Sequence, residues 1–338
     1  MVNEHGGNIY GKDIRLDFSA NLNPLGMPAS VKNAAAAAVC GCDRYPDPFC
    51  RKLTEKLSAH ENIPAENIVC GNGADDLIYR IVHAVRPESA VIGKPTFSEY
   101  AKALREAGCA VSEYAPGDIS ASLVDSTDMV ILCNPNNPTG TLTGCGKLKE
   151  ICEKSLEKNI IFLCDECFID LCKDAEKNSA KQYMNKNVIV LKAFTKTYAM
   201  PGLRLGYALF GDTGLAAKVR GTGQFWSVSA VAQAAGEAAL DEREYVAGAV
   251  ELIAEERRYL SEMLKSCGFT VCPSDANFIL FRCDVPLDAM LLNEGILIRN
   301  CVNFDGLGEG YFRIAVRTHE ENKMLAETMK KVMKWQEK

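Results

Sequence analysis

The sequence predicts an α/β protein with a large domain built on a mainly parallel sheet wrapped by helices, plus a smaller C-terminal α+β domain. Two observations support this. From about residue 66, short apolar runs alternate with amphipathic stretches, a pattern typical of parallel strands buried on both faces. After about residue 224 the alternation stops, and a long helical stretch precedes three further apolar segments. At 338 residues the chain also exceeds the usual size of one compact domain.

The elements of the large domain follow from apolar runs, which mark strands, and from one-sided apolar spacing, which marks helices. Strands are predicted at 68–70, 90–92, 109–115, 128–133, 159–164, 187–194 and 206–210. Helices are predicted after the turn Gly71-Asn72-Gly73, at 97–108 and at 147–158. The ligand site of such a sheet lies beyond the carboxyl ends of its strands.

The C-terminal domain is predicted from a helical stretch at about 229–266, three strands and a last helix. The strands are "NFILFRC", "GILIRNC" and "YFRIAVR", at 277–283, 295–301 and 311–317. We expect residues 1–35 to join this small domain, residues 36–224 to form the large domain, and residues 225–338 to form the small one.

The composition of the chain indicates which classes of partner are unsuited to it and in which cellular compartment it is expected. The formal charge of −6 argues against nucleic acid or an anionic membrane as the main partner. No apolar run approaches the roughly 20 residues that a membrane span needs. The first residues lack the basic and apolar regions of a signal peptide. We therefore expect a cytoplasmic protein whose 15 cysteines are reduced thiols.

Polar residues at the predicted strand ends form a candidate site. Gly71 to Asp75 open a helix, and free backbone N–H groups at a helix start bind phosphate. Asp165 and Lys196 each follow a buried strand, and Arg204 lies eight residues after the lysine. An amine, a carboxylate, an anion-binding helix start and an arginine are what pyridoxal phosphate requires.

Three motifs strengthen this interpretation: "NPNNPTG" at 134–140, "DECFID" at 165–170 and "FTKTYAMPGLRLGY" at 194–207. In this order and spacing they resemble the fold-type I pyridoxal-phosphate enzymes, in the branch that contains histidinol-phosphate aminotransferase. The resemblance implies catalytic roles for Lys196, the Schiff-base lysine, and Asp165, the partner of the ring nitrogen. The cofactor-binding residues that it implies are Tyr45, Gly73, Ala74, Asp75, Phe97, Asn137, Asp165, Thr195, Lys196 and Arg204.

These residues have distinct implied roles. Asn137 matches the donor to the ring O3′, and Phe97 the aromatic residue that stacks on the ring. Arg204 and Thr195, with the backbone at the start of the helix, match the phosphate ligands. Tyr45, in "RYPD", matches a tyrosine that reaches the phosphate in the partner subunit's site, which implies a homodimer.

A narrower resemblance involves both ends of the chain. "HGGNI" at 5–9, "DFSANLNPLGMP" at 17–28 and "ILIRNCVNFDGLGEGYFRIAVR" at 296–317 are similar to the threonine-phosphate decarboxylases of cobalamin biosynthesis. That family converts L-threonine O-3-phosphate into (R)-1-amino-2-propanol O-2-phosphate and CO₂. The substrate-binding residues that the resemblance implies are His5, Asn21, Asn137, Arg299 and Arg313.

The arginines also suit this substrate on physical grounds. A guanidinium on an otherwise apolar strand needs an anion, and it binds carboxylate or phosphate in bidentate fashion. Phosphothreonine offers both groups. The resemblance assigns the carboxylate to Arg313 and the phosphate to Arg299, His5 and Asn21. Arg317 could instead form a structural ion pair, and Asn23 could be a turn residue.

Alternatives remain open at this point. A histidinol-phosphate-type aminotransferase uses the same cofactor and lysine, and substrate orientation, which decides between the reactions, is not readable from sequence. Phe168 stands where aminotransferases of this branch often have tyrosine, which favours the decarboxylase. Cys164 and Cys167 could indicate a metal or redox site, but they lack a regular second pair, so we expect no metal. A non-catalytic cofactor-binding regulator is disfavoured because no DNA-binding extension is present.

Overall fold

The computed structural model describes residues 5–114 and 127–334. The strands of its main sheet are β2 Ile68–Gly71, β3 Ser89–Gly93, β4 Ala110–Tyr114, β5 Met129–Cys133, β6 Ile161–Asp165, β7 Val188–Ala193 and β8 Gly206–Phe210. They lie in the order β2-β8-β7-β6-β5-β3-β4. The sheet is parallel from β7 to β4, whereas β8 runs antiparallel to both of its neighbours.

The central strands of this sheet are covered on both faces. Every residue of β5, β7 and β8 is buried, as expected for apolar runs that lie between two layers of helices. The predicted mainly parallel sheet is therefore confirmed. Each predicted strand lies within about two residues of an observed one, although Ala115, the last residue predicted for β4, lies outside the described residues.

Helices flank the sheet and continue into the C-terminal part of the chain. The helices are α1 Ala29–Ala38, α2 Arg51–Glu61, α3 Ala74–Val85, α4 Ser98–Glu106, α5 Cys145–Glu157, α6 Phe194–Thr197, α7 Thr213–Arg220, α8 Ala230–Ala239, α9 Arg243–Ser266, α10 Leu287–Leu292 and α11 His319–Lys334. In α3 the apolar residues Leu77, Ile78, Ile81 and Val82 share one face and are buried.

A second sheet is antiparallel, and its strands are β9 Thr270–Val271, β10 Phe278–Arg282, β12 Arg299–Asn300 and β13 Tyr311–Ala315. They lie in the order β12-β13-β10-β9. A separate two-stranded parallel ladder joins β1 Leu16–Asp17 to β11 Ile296–Leu297. The N-terminal segment is thereby bonded to the C-terminal part of the chain.

Two predicted elements are divided in the structure. The helical stretch at 229–266 is two helices, because α8 packs on α1 and α2 whereas α9 packs on β9 and β10, and one straight helix could not serve both layers. The predicted strand at 295–301 is divided into β11 and β12, which join different sheets. The domain boundaries at 35/36 and 224/225 stay predictions.

The chain has no membrane-spanning candidate in the part that the structure describes, because none of its helices there is both long and apolar enough.

Candidate active site

A cavity of about 330 Å³ lies at the carboxyl ends of β5, β6 and β7, where Cys133, Asp165 and Ala193 reach its wall. Its walls come from three separate parts of the chain: the N-terminal segment, the main sheet with its helices, and the second sheet. The predicted site residues that line it are His5, Asn21, Ala74, Asp75, Phe97, Asn137, Asp165, Thr195, Lys196, Arg204, Arg299 and Arg313.

Two predicted residues lie outside this wall. Gly73 is directly beneath the Arg204 guanidinium, since a Cβ on Gly73 would lie 2.7 Å from Nη2 of that arginine. Its φ of +89° is also a conformation that side chains disfavour, so both space and backbone require glycine here. Tyr45 is 79% exposed and stacks on Trp226, with ring centroids 4.4 Å apart.

Lys196 lines the cavity and lies on the single-turn helix α6, which directly follows β7. Burial lowers the pKa of its amine to about 8, and the charges of Arg313 and Arg204 act in the same direction. The amine also lies 5.8 Å from the centroid of the Phe168 ring. An amine with this pKa is partly unprotonated near neutral pH, as a nucleophile must be.

Asp165 ends β6 and is held by donors on both carboxylate oxygens. The Tyr100 hydroxyl donates to Oδ2 over 2.5 Å, and the Cys167 backbone N–H donates to Oδ1 over 3.0 Å. Burial raises the pKa of Asp165, while these donors and the nearby Lys196 oppose the rise. Burial also raises the pKa of Tyr100 well above its usual value, which keeps the phenol a proton donor.

The start of α3 provides an anion cradle beside the cavity. Gly73 is the N-cap residue and has no side chain to cap the helix, so the first backbone N–H groups are available to a ligand. Arg204 adds a guanidinium that also donates to the Pro201 carbonyl over 3.3 Å. This end of the cavity suits a phosphate group.

The second sheet contributes two arginines that are directly opposite each other. Arg299 on β12 pairs with Arg313 on β13, and both are 5% exposed. Arg313 donates to Asn137 Oδ1 and to the Ser19 carbonyl, both neutral oxygens, and its Nε has no partner among the described residues. Burial lowers the pKa of Arg313 to about 10, and Arg299 adds to the effect. Like charges at opposed positions destabilise a sheet, so this pair favours a bound anion.

The N-terminal segment covers one side of the cavity. His5 Nε2 lies 3.1 Å from Glu99 Oε1, and Gly7 N–H donates to Ser19 Oγ over 2.8 Å. Asn21 is buried, and its Oδ1 has no hydrogen-bond partner within the described ranges. The predicted substrate residues His5, Asn21, Arg299 and Arg313 thus meet in one cavity.

Three of the cavity residues that sequence reasoning missed make side-chain contacts with other site residues: Glu99, Tyr100 and Asn303. Tyr100 and Glu99 lie on α4, one turn or less after Phe97 in "PTFSEY", and acidic or hydroxyl residues so close to a predicted ring-stacking residue were the available signal. Asn303 accepts from Arg299 Nη2 over 2.7 Å and lies four residues after it in a loop. No periodic pattern marks a loop residue, so only the fold places it.

Arg317 and Asn23, whose roles the sequence left undecided, form hydrogen bonds within the protein. Arg317, just before α11, donates over 2.7 Å to Glu321 in the first turn of that helix. The amide of Asn23 donates to the Thr197 carbonyl over 2.8 Å, and its Oδ1 accepts from the Leu25 N–H. Asn23 therefore ties the N-terminal segment to the helix that carries Lys196.

The Cys164-x-x-Cys167 pair does not form one site. Cys164 packs in the cluster on one face of the main sheet, where its thiol lies 3.6 Å from Glu166 Oε1. Cys167 packs in the cluster on the other face, in the wall of the cavity. All 15 cysteines are free thiols, and no group of three or more His, Cys, Asp or Glu side chains in the described ranges is arranged to hold a metal.

The residues present fit pyridoxal phosphate. A phosphate cradle, a buried carboxylate and an amine of lowered pKa occupy the same cavity. The unpaired Asn21 Oδ1, Asp75 Oδ1 and Arg313 Nε also indicate a polar ligand, because buried polar atoms without partners are rare.

Comparison with known proteins gives a consistent result. The model of the family "Aminotransferase class I and II" matches residues 13–329. The threonine-phosphate decarboxylase of Salmonella typhimurium is 36% identical over 97% of this chain and 96% of its own. The solved histidinol-phosphate aminotransferase of Clostridium acetobutylicum superposes with a TM-score of 0.88 at 30% identity, covering 94% of this chain and 99% of its own. The same enzyme from Sinorhizobium meliloti, solved in complex with pyridoxal-5'-phosphate, gives 0.85 at 23%, covering 95% and 91%.

Proposed function

This chain belongs to the class I and II aminotransferase family, and we propose that within it the chain is a pyridoxal-phosphate-dependent carboxy-lyase acting on L-threonine O-3-phosphate. The products would be CO₂ and (R)-1-amino-2-propanol O-2-phosphate, a precursor in cobalamin biosynthesis. The 36% identity with the Salmonella typhimurium decarboxylase, over nearly the full length of both chains, supports the assignment.

One observation supports the substrate most directly: two buried arginines, Arg299 and Arg313, face each other across adjacent strands. Two opposed guanidiniums call for a ligand with two anionic groups. Threonine phosphate has a carboxylate and a phosphate separated by a short carbon chain. In our proposal Arg313 holds the carboxylate, while Arg299, His5 and Asn21 hold the phosphate.

The cofactor-binding roles that we propose are those implied by the family resemblance, and they are supported by the single cavity that these residues line. Lys196 would bond the cofactor covalently, the start of α3 with Thr195 and Arg204 would hold its phosphate, and Asp165 would pair with its ring nitrogen. Asn137 would bind the ring oxygen and Phe97 would cover one face. When bound, pyridoxal phosphate supplies an electron sink conjugated to the substrate Cα.

The remaining chemistry belongs to the side chains. Arg313 fixes the direction of the bond from Cα to the carboxylate, and this orientation favours loss of CO₂ over loss of a proton. Lys196, whose pKa of about 8 lies near neutral pH, returns a proton to Cα. The Tyr100 and Cys167 donors hold the Asp165 carboxylate in position throughout.

A homodimer is part of the proposal. Tyr45, Phe49, Phe225 and Trp226 form an exposed aromatic cluster, with exposures of 79%, 46%, 58% and 46%. Their rings contact one another in series, and exposed aromatic patches are typical of protein interfaces. We propose that Tyr45 reaches the cofactor phosphate of the partner subunit from this cluster. A cytoplasmic location, consistent with 15 free thiols, completes the proposal.

The deciding experiment incubates the purified protein, loaded with pyridoxal phosphate, with threonine phosphate and no keto acid. Release of CO₂ in amounts equal to the amine phosphate formed is the expected result. Turnover of histidinol phosphate only in the presence of 2-oxoglutarate would overturn the decarboxylase in favour of the aminotransferase. A protein that shows no yellow absorption sensitive to borohydride would overturn the cofactor assignment as well.

The aminotransferase is the second candidate, and the TM-score of 0.88 to the Clostridium acetobutylicum enzyme supports it. Phe168 weighs against it, because the ring offers no hydroxyl to the cofactor oxygen and instead packs edge-on against Phe278, with centroids 5.1 Å apart.

A further inference from the structure

A buried carboxylate in the substrate cavity has no role in the function proposed so far. Glu99 is 6% exposed and lies in the first turn of α4, where the helix dipole favours a negative charge. Its Oε2 accepts from the Tyr79 hydroxyl over 3.1 Å and lies 3.5 Å from the Lys102 amine. Its Oε1 faces His5 Nε2 at 3.1 Å. An anion here would repel a substrate phosphate unless a cation lies between them.

The number of hydrogens on the His5 ring decides whether this residue can be the cation between Glu99 and the phosphate. A carboxylate can only accept, so the ring nitrogen that faces Glu99, Nε2, must carry a hydrogen. A neutral ring would then have no hydrogen on Nδ1, and that nitrogen could not donate to a phosphate. The doubly protonated ring donates from both nitrogens, to Glu99 on one side and to an anion on the other.

We propose that Glu99 is a positioning residue for His5. It accepts a hydrogen bond from Nε2, and the ring binds the substrate phosphate through Nδ1 in its doubly protonated form. Binding of the phosphorylated ligand therefore takes up one proton from solvent whenever His5 is neutral in the free enzyme. The inference rests on the proposed function, since it concerns the phosphate subsite of that same cavity. Phosphate affinity then falls as the pH rises and the second ring proton becomes harder to retain.

Other titratable or charged groups surround the pair of His5 and Glu99. Tyr79 from α3 and Lys102 from α4 contact Glu99, while Asp75 from α3 and Arg299 from β12 line the same cavity as His5. Burial, followed by the charge of Glu99, raises the pKa of Asp75. Glu99 is the carboxylate that contacts the ring directly, so removal of its charge tests the proposal most sharply.

The test uses the cofactor-loaded enzyme and isopropyl phosphate, which keeps the phosphate group of the substrate but has neither a carboxylate to lose nor an amine that could bond to the cofactor. Calorimetric titration in two buffers of different ionisation enthalpy gives both Kd and the number of protons taken up. At about pH 8 phosphate monoesters are already dianions, because their second pKa is about 6, so proton uptake reports on the protein.

Glu99→Gln keeps an oxygen that can accept from Nε2 but removes the charge. We expect Kd at about pH 8 to rise roughly tenfold, the scale of one charge-assisted hydrogen bond, with a smaller gap from wild type at lower pH. His5→Gln should abolish proton uptake, and Glu99→Gln should have no further effect in that background. Glu106→Gln, at the exposed end of the same helix, is the matched control and should change nothing.

Three outcomes would overturn the proposal. If Kd and proton uptake are unchanged in Glu99→Gln, the contact between His5 and Glu99 is only structural. If Glu99→Gln binds the ligand more tightly at every pH, Glu99 only repels the phosphate. An equal effect of Glu99→Gln with and without His5 would show that Glu99 acts through another residue. If the wild-type enzyme neither binds this ligand nor releases CO₂ from threonine phosphate, the proposed function itself has failed.

Discussion

Two lysines, one in β7 and one in the helix α6 that follows it, have opposite electrostatic surroundings. Lys192, within β7, points into the closed interior and is 8% exposed, whereas Lys196, four residues later, points into the cavity. Burial alone would lower the pKa of both amines. The pKa of Lys192 is nevertheless raised well above its usual value, while that of Lys196 is lowered to about 8.

The difference comes from the neighbouring charges. The Lys192 amine lies 2.8 Å from Asp170 and 3.2 Å from Glu61, and Glu61 also binds Lys181 and the Tyr207 hydroxyl. At Lys196 the charges of Arg313 and Arg204 instead add to the effect of burial on the pKa, and the charge of Asp165 opposes them less strongly. A buried lysine is therefore a structural cation when carboxylates surround it and a reactive amine when arginines do. The comparison predicts that substitution of Lys196 abolishes activity, whereas substitution of Lys192 lowers the free energy of unfolding.

The largest expected effect is that of Lys196→Ala. CO₂ release should fall by at least about 10⁴-fold, the upper end of what a positioned proton donor contributes, since the covalent anchor is lost as well. Near-visible absorption that borohydride can fix to the protein should also disappear. Measurement of both on dialysed protein checks the prediction, and a variant that still retains covalently fixable cofactor would contradict it.

Lys192→Met should act on stability instead. Loss of the amine leaves Glu61 and Asp170 without their shared cation, and breaking a buried ion pair costs about 3–5 kcal/mol. Urea unfolding of the cofactor-free chain measures this. The matched control is Lys149→Met, which removes an exposed pair with Glu153 at 3.8 Å and should change stability by less than about 1 kcal/mol.

The comparison holds only if the Lys192 variant loses stability and the Lys196 variant loses covalent cofactor binding. Lys192→Met protein that remains folded should still bind cofactor covalently. If it loses the near-visible absorption at unchanged stability, the assignment of Lys192 as a structural cation is wrong.

Asp165→Asn tests the counter-charge on the reactive side. The amide keeps the size of the side chain but cannot hold a positive charge on the cofactor ring, so CO₂ release should fall about 10²–10³-fold, as on removal of a preorganised electrostatic contact. The Kd for isopropyl phosphate should change far less. Steady-state kinetics with parallel calorimetry separate the two, and an unchanged rate would refute the role.

Cys167→Ala should have the smallest effect. The backbone N–H of residue 167, which holds Asp165, is retained in alanine, and only the buried thiol is lost. We expect a rate within about fivefold of wild type, corresponding to about 1 kcal/mol. A loss of activity comparable with that of Asp165→Asn would revive a chemical role for the cysteine.

Much of the site could be predicted because parallel strands end at one edge of a sheet. Asp165 ends β6 and Lys196 lies on the short helix that follows β7, so their proximity is a property of the fold class. Glu99 and Tyr100 could not be placed in this way. They lie on a helix, and which side of α4 faces the cavity depends on how that helix packs on α3 and β3.

The same reasoning explains the misjudged elements. The residues between α8 and α9 include no proline or glycine, so the sequence shows no break there. The helix ends because its two halves pack on different layers, which is a tertiary constraint. Local pattern predicts the type of element well, whereas its limits often depend on contacts distant in sequence.

The β1–β11 ladder has a consequence for folding. Its two residue pairs, Leu16 with Ile296 and Asp17 with Leu297, close a loop that contains most of the chain. Closing so long a loop costs more conformational entropy than closing a short one, and contacts between distant segments tend to form slowly. During synthesis, His5 emerges from the ribosome long before Arg313, so the substrate-binding half of the cavity cannot assemble until nearly the whole chain has been made.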